Sequence, residues 1–172
     1  MGSRPLSPYD AVTRDLPASV MVFPDTFVQR LKYIFWRVYT PLHPFVRDMA
    51  IRLHIVSIKA KAERWGSRQH FLLGHIAPNE TFESIIKFLV SKGYYNHFVA
   101  WKDDGEVVSL RYMENFSHQY HLRIFDDGEV RGHFEYTPEC YPFKHYFAEG
   151  FEDRRDYFLD LLGEKIIPQT SS

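Results

Sequence analysis

Between Asn96 and Tyr136 apolar and polar residues alternate around two copies of Asp-Asp-Gly-Glu-Val, at Asp103 to Val107 and Asp126 to Val130. A period of two marks strands with one buried face, and a short glycine-containing loop between two such runs marks a hairpin. With Asp103-Asp104-Gly105 and Asp126-Asp127-Gly128 as the loops, each glycine takes the φ > 0 position of a type I turn with a G1 bulge. The first hairpin then sets Trp101 against Val107 and His97 against Arg111. The second sets His121 against His133 and Arg123 against Arg131. A two-residue loop would pair His121 with Phe134 and mix the two faces, so the three-residue loop is expected.

Because side chains alternate, these pairings keep residues of one parity on one face. The even positions are Phe98, Ala100, Val108, Leu110, Tyr112, Tyr120, Leu122, Ile124, Val130, Gly132, Phe134 and Tyr136, a core face. The odd positions are His97, Val99, Trp101, Val107, Ser109, Arg111, Gln119, His121, Arg123, Arg131, His133 and Glu135. A merely solvated face would mix Thr, Lys, Glu and Ser. This one gathers Arg and His around a Trp, the composition of a recognition surface.

Elsewhere the period is helical. Residues 1–24 carry four prolines and read as an extended arm. Asp25 or Thr26 caps a helix in which Phe27, Leu31, Ile34, Phe35 and Val38 recur at helical spacing, ended by Pro41 and Pro44. A second helix is expected from about Phe45 to Trp65, so that residues 25–65 form a basic, amphipathic helical pair. Residues 66–93 supply an extended segment and a third helix starting near Thr81, with Phe82, Ile85, Ile86 and Leu89 inward and Gly93 as its stop. The meander occupies 94–137, a loop and closing helix 138–163, and a loose tail 164–172. The expected fold is a single α+β domain: a four-stranded antiparallel β-meander with helices packed on one face, an N-terminal helical pair and a C-terminal helix.

Composition agrees with a packed domain, since 45% of the 172 residues are hydrophobic and 17% aromatic. The single cysteine, Cys140, leaves no intramolecular disulfide or cysteine-rich zinc module and points to a reducing, cytoplasmic setting. No secretory signal is read at the N-terminus. Net charge is −1, but residues 28–68 hold nine Lys or Arg against Asp48 and Glu63. That basic stretch is the place for a peripheral membrane or protein partner. Charges interrupt every apolar run, which excludes a membrane span. The oligomeric state is not legible in the sequence.

The candidate chemistry lies on the odd face. Taking the middle connection to pair Arg111 with Gln119, the rows read His97, Arg111, Gln119, Glu135; then Val99, Ser109, His121, His133; then Trp101, Val107, Arg123, Arg131. Arg123 directly opposite Arg131 is unfavourable unless an anion or acid lies between them. The functional reading is an anionic, phosphate-bearing ligand, RNA among the candidates. His97, Arg111, Gln119, Arg123 and Arg131 would bind it, and His121, His133 and Glu135 would serve as acid and base. The alternative is a non-catalytic interaction or membrane-peripheral domain whose Arg and His face is structural, with Glu139, Glu149 or an acid of the last helix covering the arginines. No metal and no cofactor is assigned. His121, His133 and Glu135 are the best ligand set, yet His118 has the wrong parity and no HExxH or cysteine spacing supports them. Adjacent arginines also disfavour a cation. No nucleophile elbow or phosphate-binding Gly-rich loop is present.

By architecture alone, helices followed by a four-stranded meander with Arg, His and Glu on its open face resemble the metal-independent ribonucleases of the barnase and RelE type. The resemblance covers the meander and the preceding helices, matches no motif, and departs at the C-terminal helix. It implies that Glu135 or a histidine takes the 2′-hydroxyl proton, that another histidine protonates the leaving oxygen, and that Arg111, Arg123 and Arg131 stabilise the phosphorane.

Overall fold

The computed structural model describes residues 22–42, 45, 46, 49, 71–96, 105–141 and 154–169. In chain order the elements are helix α1 (Phe27–Tyr39), strand β1 (Leu72–Ile76), helix α2 (Phe82–Ser91), strands β2 (Tyr95–Asn96), β3 (Glu106–Met113), β4 (His118–Phe125) and β5 (Glu129–Tyr136), helix α3 (Arg155–Leu162) and strand β6 (Ile166–Pro168). The fold is α+β with an antiparallel sheet. That sheet has six strands in the order β2-β3-β4-β5-β1-β6 rather than four. The segment before α2 docks on β5 as β1, and residues 166–168 of the expected tail pair with β1 as β6. Most of the expected second helix, from Phe45 to Trp65, lies outside the described residues, as do His97 and Trp101.

Local chemistry explains the helix boundaries. Thr26 Oγ1 accepts from Gln29 N at 3.2 Å while Gln29 Oε1 accepts from Thr26 N at 3.3 Å, a reciprocal capping box at the start of α1. Thr81 and Ser84 repeat the arrangement at α2. Ile85, Ile86 and Leu89 of α2 and Phe158 and Leu162 of α3 then join Val108, Leu110, Leu122, Ile124, Val130 and Phe134 in one core on the even face.

The second hairpin has the expected register. Gly128 adopts φ +87°, its N–H donates to Phe125 O at 2.9 Å, and His121 pairs with His133 and Arg123 with Arg131. Two other pairings differ from expectation. Between β3 and β4, Arg111 lies opposite His121 and Met113 opposite Gln119, a slip of two residues from the Arg111–Gln119 pairing. Asn115 decides it, because its side-chain oxygen accepts from both Ser117 N (2.8 Å) and His118 N (2.9 Å) and holds the turn at residues 115–117, one position further along than the expected pairing would centre it. An even slip preserves parity, so the faces survive. On the other side Arg111 pairs with Tyr95 rather than His97.

The second difference changes a face. A bulge between Glu106 and Val108 sets Glu106 against Phe125. Beyond it the parity reverses, and Val107, expected on the polar face, enters the core while Glu106 turns toward Arg123.

Strand β1 runs between β5 and β6, and Gly74 is where β6 approaches closest. A methyl at Gly74 would run into the Ile167 carbonyl and lie 2.9 Å from Pro168 Cα, both backbone atoms that cannot swing aside. Gly74→Ala is therefore expected to destabilise the fold by about 1–3 kcal/mol. A urea midpoint equal to that of the unsubstituted protein, with the 166–168 amides still protected from exchange, would contradict this reading of β6.

Candidate functional site

The odd face is a continuous polar network under cover. Loop 137–141 folds back over it, held by Thr137 Oγ1 donating to Phe116 O at 2.6 Å and Thr137 N donating to Ser117 O at 2.9 Å. The loop delivers Glu139 to Arg111. The guanidinium donates from Nη1 to Glu139 Oε2 at 3.0 Å and from Nη2 to Glu139 Oε1 at 2.7 Å, a forked pair with both side chains under 5% exposed.

Arg111 also donates to Gln119 Oε1 at 3.1 Å, and Gln119 Nε2 donates to Glu135 Oε1 at 2.7 Å. Glu135 in turn presents one oxygen to each imidazole, Oε1 at 3.2 Å from His121 Nδ1 and Oε2 at 3.3 Å from His133 Nε2. The two ring nitrogens are 3.3 Å apart, and His121 Nε2 lies 2.7 Å from Ser109 Oγ. The Ser109–His121 contact is thus made, although the slip of β3 makes it diagonal rather than directly cross-strand. Phe71, with the left-handed φ of +62°, sets its ring 5.0 Å from that of His133.

The other two arginines are also matched by acids. Arg123 Nε donates to Glu106 Oε2 at 3.1 Å, and Arg131 Nη2 donates to Glu129 Oε2 at 2.8 Å. Both guanidiniums flank the Phe125 ring, 5.1 and 5.5 Å from its centroid. The close approach of Arg123 and Arg131 is therefore relieved by carboxylates and an aromatic spacer.

The structure accordingly brings together His121, His133, Glu135, Gln119 and Arg111, with Arg123 and Arg131 in the next row. His97 falls outside the described residues. Reading the sequence missed Glu106, Glu129, Phe125 and Phe71 as parts of this face. Glu129 was legible, being two residues from Arg131 on one strand. Glu106 was not, because only the bulge turns it.

Burial sets what this constellation can do. His121, His133 and Glu135 are 8%, 7% and 2% exposed. Burial pushes the His121 imidazole down to about 4, against the pull of Glu135 upward, so it is neutral and keeps a lone pair. Among the described residues these three are the group whose donor atoms all lie within 4.8 Å of one another. The trio suits proton sharing or metal ligation.

Breaking one half of a buried ion pair leaves the other half's charge desolvated, at a cost of about 3–5 kcal/mol. Glu139→Ala should lower stability by that order in chemical denaturation, and the double variant Arg111→Met with Glu139→Met should recover much of it. A Glu139→Ala cost under about 1 kcal/mol would mean that the pair does not hold loop 137–141 in place. Compared with known proteins, the chain matches no family model, no curated protein and no solved structure.

Proposed function

We propose that the chain is a peripheral membrane-binding domain that docks on an anionic lipid surface through α1. The observation that carries this reading is the outward face of that helix. Phe27, Val28, Leu31, Ile34, Phe35 and Val38 recur at spacings of one, three and four residues and are each more than half exposed. Leu42, Phe45 and Met49 are exposed large hydrophobic residues farther along the chain. The opposite side seats the helix on the domain: Trp36 is buried, Tyr33 meets Phe116 edge-on at 6.4 Å, and Lys32 Nζ sits 3.7 Å above the Tyr141 ring.

Charge selects the partner. Residues 26–42 contain Arg30, Lys32 and Arg37 and no Asp or Glu. On a helical wheel the two arginines border one side of the apolar arc and Lys32 with Tyr39 the other. Such a helix lies in the plane of a membrane interface, with apolar side chains in the acyl region and cations among the headgroups. Two copies packed antiparallel, arc to arc, would set Arg30 and Arg37 of one against those of the other with no acid of residues 26–42 between them, which disfavours that pairing. No helix among the described residues is long and apolar enough to cross a membrane.

A phosphate-bearing ligand on the sheet has less support, because the arginines that would hold it already engage Glu139, Glu106 and Glu129 on a buried face. The polar face then serves as scaffold, in keeping with the non-catalytic alternative read from the sequence.

Each basic residue near an anionic bilayer adds about 1 kcal/mol, roughly fivefold in affinity. Co-sedimentation with vesicles containing a third phosphatidylserine should therefore retain the protein and vesicles of phosphatidylcholine alone should retain far less. Arg30→Gln with Arg37→Gln should weaken binding about 30-fold, and Ile34→Glu with Val38→Glu should abolish it. Absence of sedimentation with anionic vesicles, or retention indifferent to both double variants, would refute the proposal. A concentration-dependent dimer that Ile34→Glu with Val38→Glu dissolves would assign the arc to a second copy instead.

A further inference from the structure

We infer that His121, His133 and Glu135 form a binding site for one divalent transition-metal ion of the zinc class, held tetrahedrally with its fourth position left to another donor. The geometry points to this directly. Zinc–nitrogen and zinc–oxygen bonds of about 2.0–2.1 Å place neighbouring ligand atoms of a tetrahedron about 3.3 Å apart, and those of an octahedron about 2.9 Å apart. The imidazole nitrogens His121 Nδ1 and His133 Nε2 are 3.3 Å apart, Glu135 turns Oε1 to the first at 3.2 Å and its other oxygen, Oε2, to the second at 3.3 Å, and one ligand atom from each of the three residues lies within 4.8 Å of the others. Two imidazoles and one carboxylate suit zinc, cobalt or nickel. Calcium and magnesium prefer all-oxygen sites.

The surroundings are those of a ligand set rather than of three side chains that happen to meet. A metal-bound histidine is oriented by the partner of its other ring nitrogen, and a ligating carboxylate by its own donors. Ser109 Oγ, 2.7 Å from His121 Nε2, can accept a hydrogen bond from a proton held on Nε2, which leaves the lone pair on Nδ1 facing the centre. Gln119 Nε2 fixes Glu135 Oε1 at 2.7 Å and is itself oriented by Arg111. Phe71 closes one side of the His133 ring.

Electrostatics removes the objection that nearby arginines repel a cation. Among the described residues of this face, Arg111, Arg123 and Arg131 engage Glu139, Glu106 and Glu129. Glu135 is a fourth carboxylate, turned to two imidazoles. The competing arrangement is a hydrogen-bonded histidine pair in which one proton occupies the centre.

The test uses the full chain, stripped with chelator and shown folded by circular dichroism, then titrated with Co²⁺ and Zn²⁺. One equivalent of Co²⁺ should give the strong visible absorption of a tetrahedral centre, and Zn²⁺ should displace it. Zn²⁺ at a hundredfold excess over Kd should raise Tm by about 5–10 °C. Glu135→Gln, which keeps the shape but removes the charge, should weaken Zn²⁺ binding about a hundredfold, and Ser109→Ala about tenfold. The Ser109→Ala measurement decides the matter if Glu135→Gln fails to fold. A folded apo-protein with no cobalt band and no Tm shift would overturn the site in favour of the hydrogen-bonded pair. So would affinities unchanged in a folded Glu135→Gln variant or in Ser109→Ala.

Discussion

The Arg111–Glu139 pair is the contact on which the rest of the polar face depends. Two opposite charges under 5% exposed are tolerable only when geometry and further hydrogen bonds offset their desolvation. Here the fork supplies two charge-assisted bonds, and the remaining Nη1 capacity goes to Gln119. From Gln119 the order passes to Glu135, then to both imidazoles, and ends at Ser109. Removing the ion pair would leave the amide free to rotate and would release loop 137–141 from the sheet. A row of unlike side chains on three strands is thus linked by one run of hydrogen bonds, with Arg111 Nε the buried donor that it leaves without a partner.

The same constraint explains the bulge at Glu106 and Val107. A sheet with arginines directly opposed on β4 and β5 needs carboxylates within reach, and β3 sets only Ser109 directly opposite Arg123. The extra residue places Glu106 beside the guanidinium and Val107 in the core. Both changes lower free energy together: a buried cation is paired, and an apolar side chain leaves a polar layer.

The two faces of the domain therefore have opposite characters. The sheet's polar face is turned inward and internally matched, so its arginines are poor candidates for an external anion. Helix α1, by contrast, turns a run of large apolar side chains to solvent. A surface of this kind is uncommon on a monomeric soluble domain, and the proposed membrane docking rests on it. The core is built from α2, α3 and the even residues of the sheet, without the large side chains of α1.

The sequence by itself determined the α+β class, the two faces of the sheet, the second hairpin and the helix caps. These follow from backbone geometry within a few residues: alternation of side chains along a strand, a glycine at φ +87° in the Phe125–Glu129 turn, and Thr side chains reaching their own helix amides. The convergence of His121, His133 and Glu135 was legible for the same reason, since one tight turn sets the register of β4 on β5. Tertiary structure alone decided the number of strands, because β1 and β6 join the sheet through partners far away in sequence. It also decided the fate of two identical Gly-Glu-Val strings. The copy at Gly128 runs on into a regular pairing with β4, Val130 opposite Ile124, and the copy at Gly105 bulges against Phe125. No local preference separates identical peptides; the neighbouring strand, and the arginine it needed to neutralise, did.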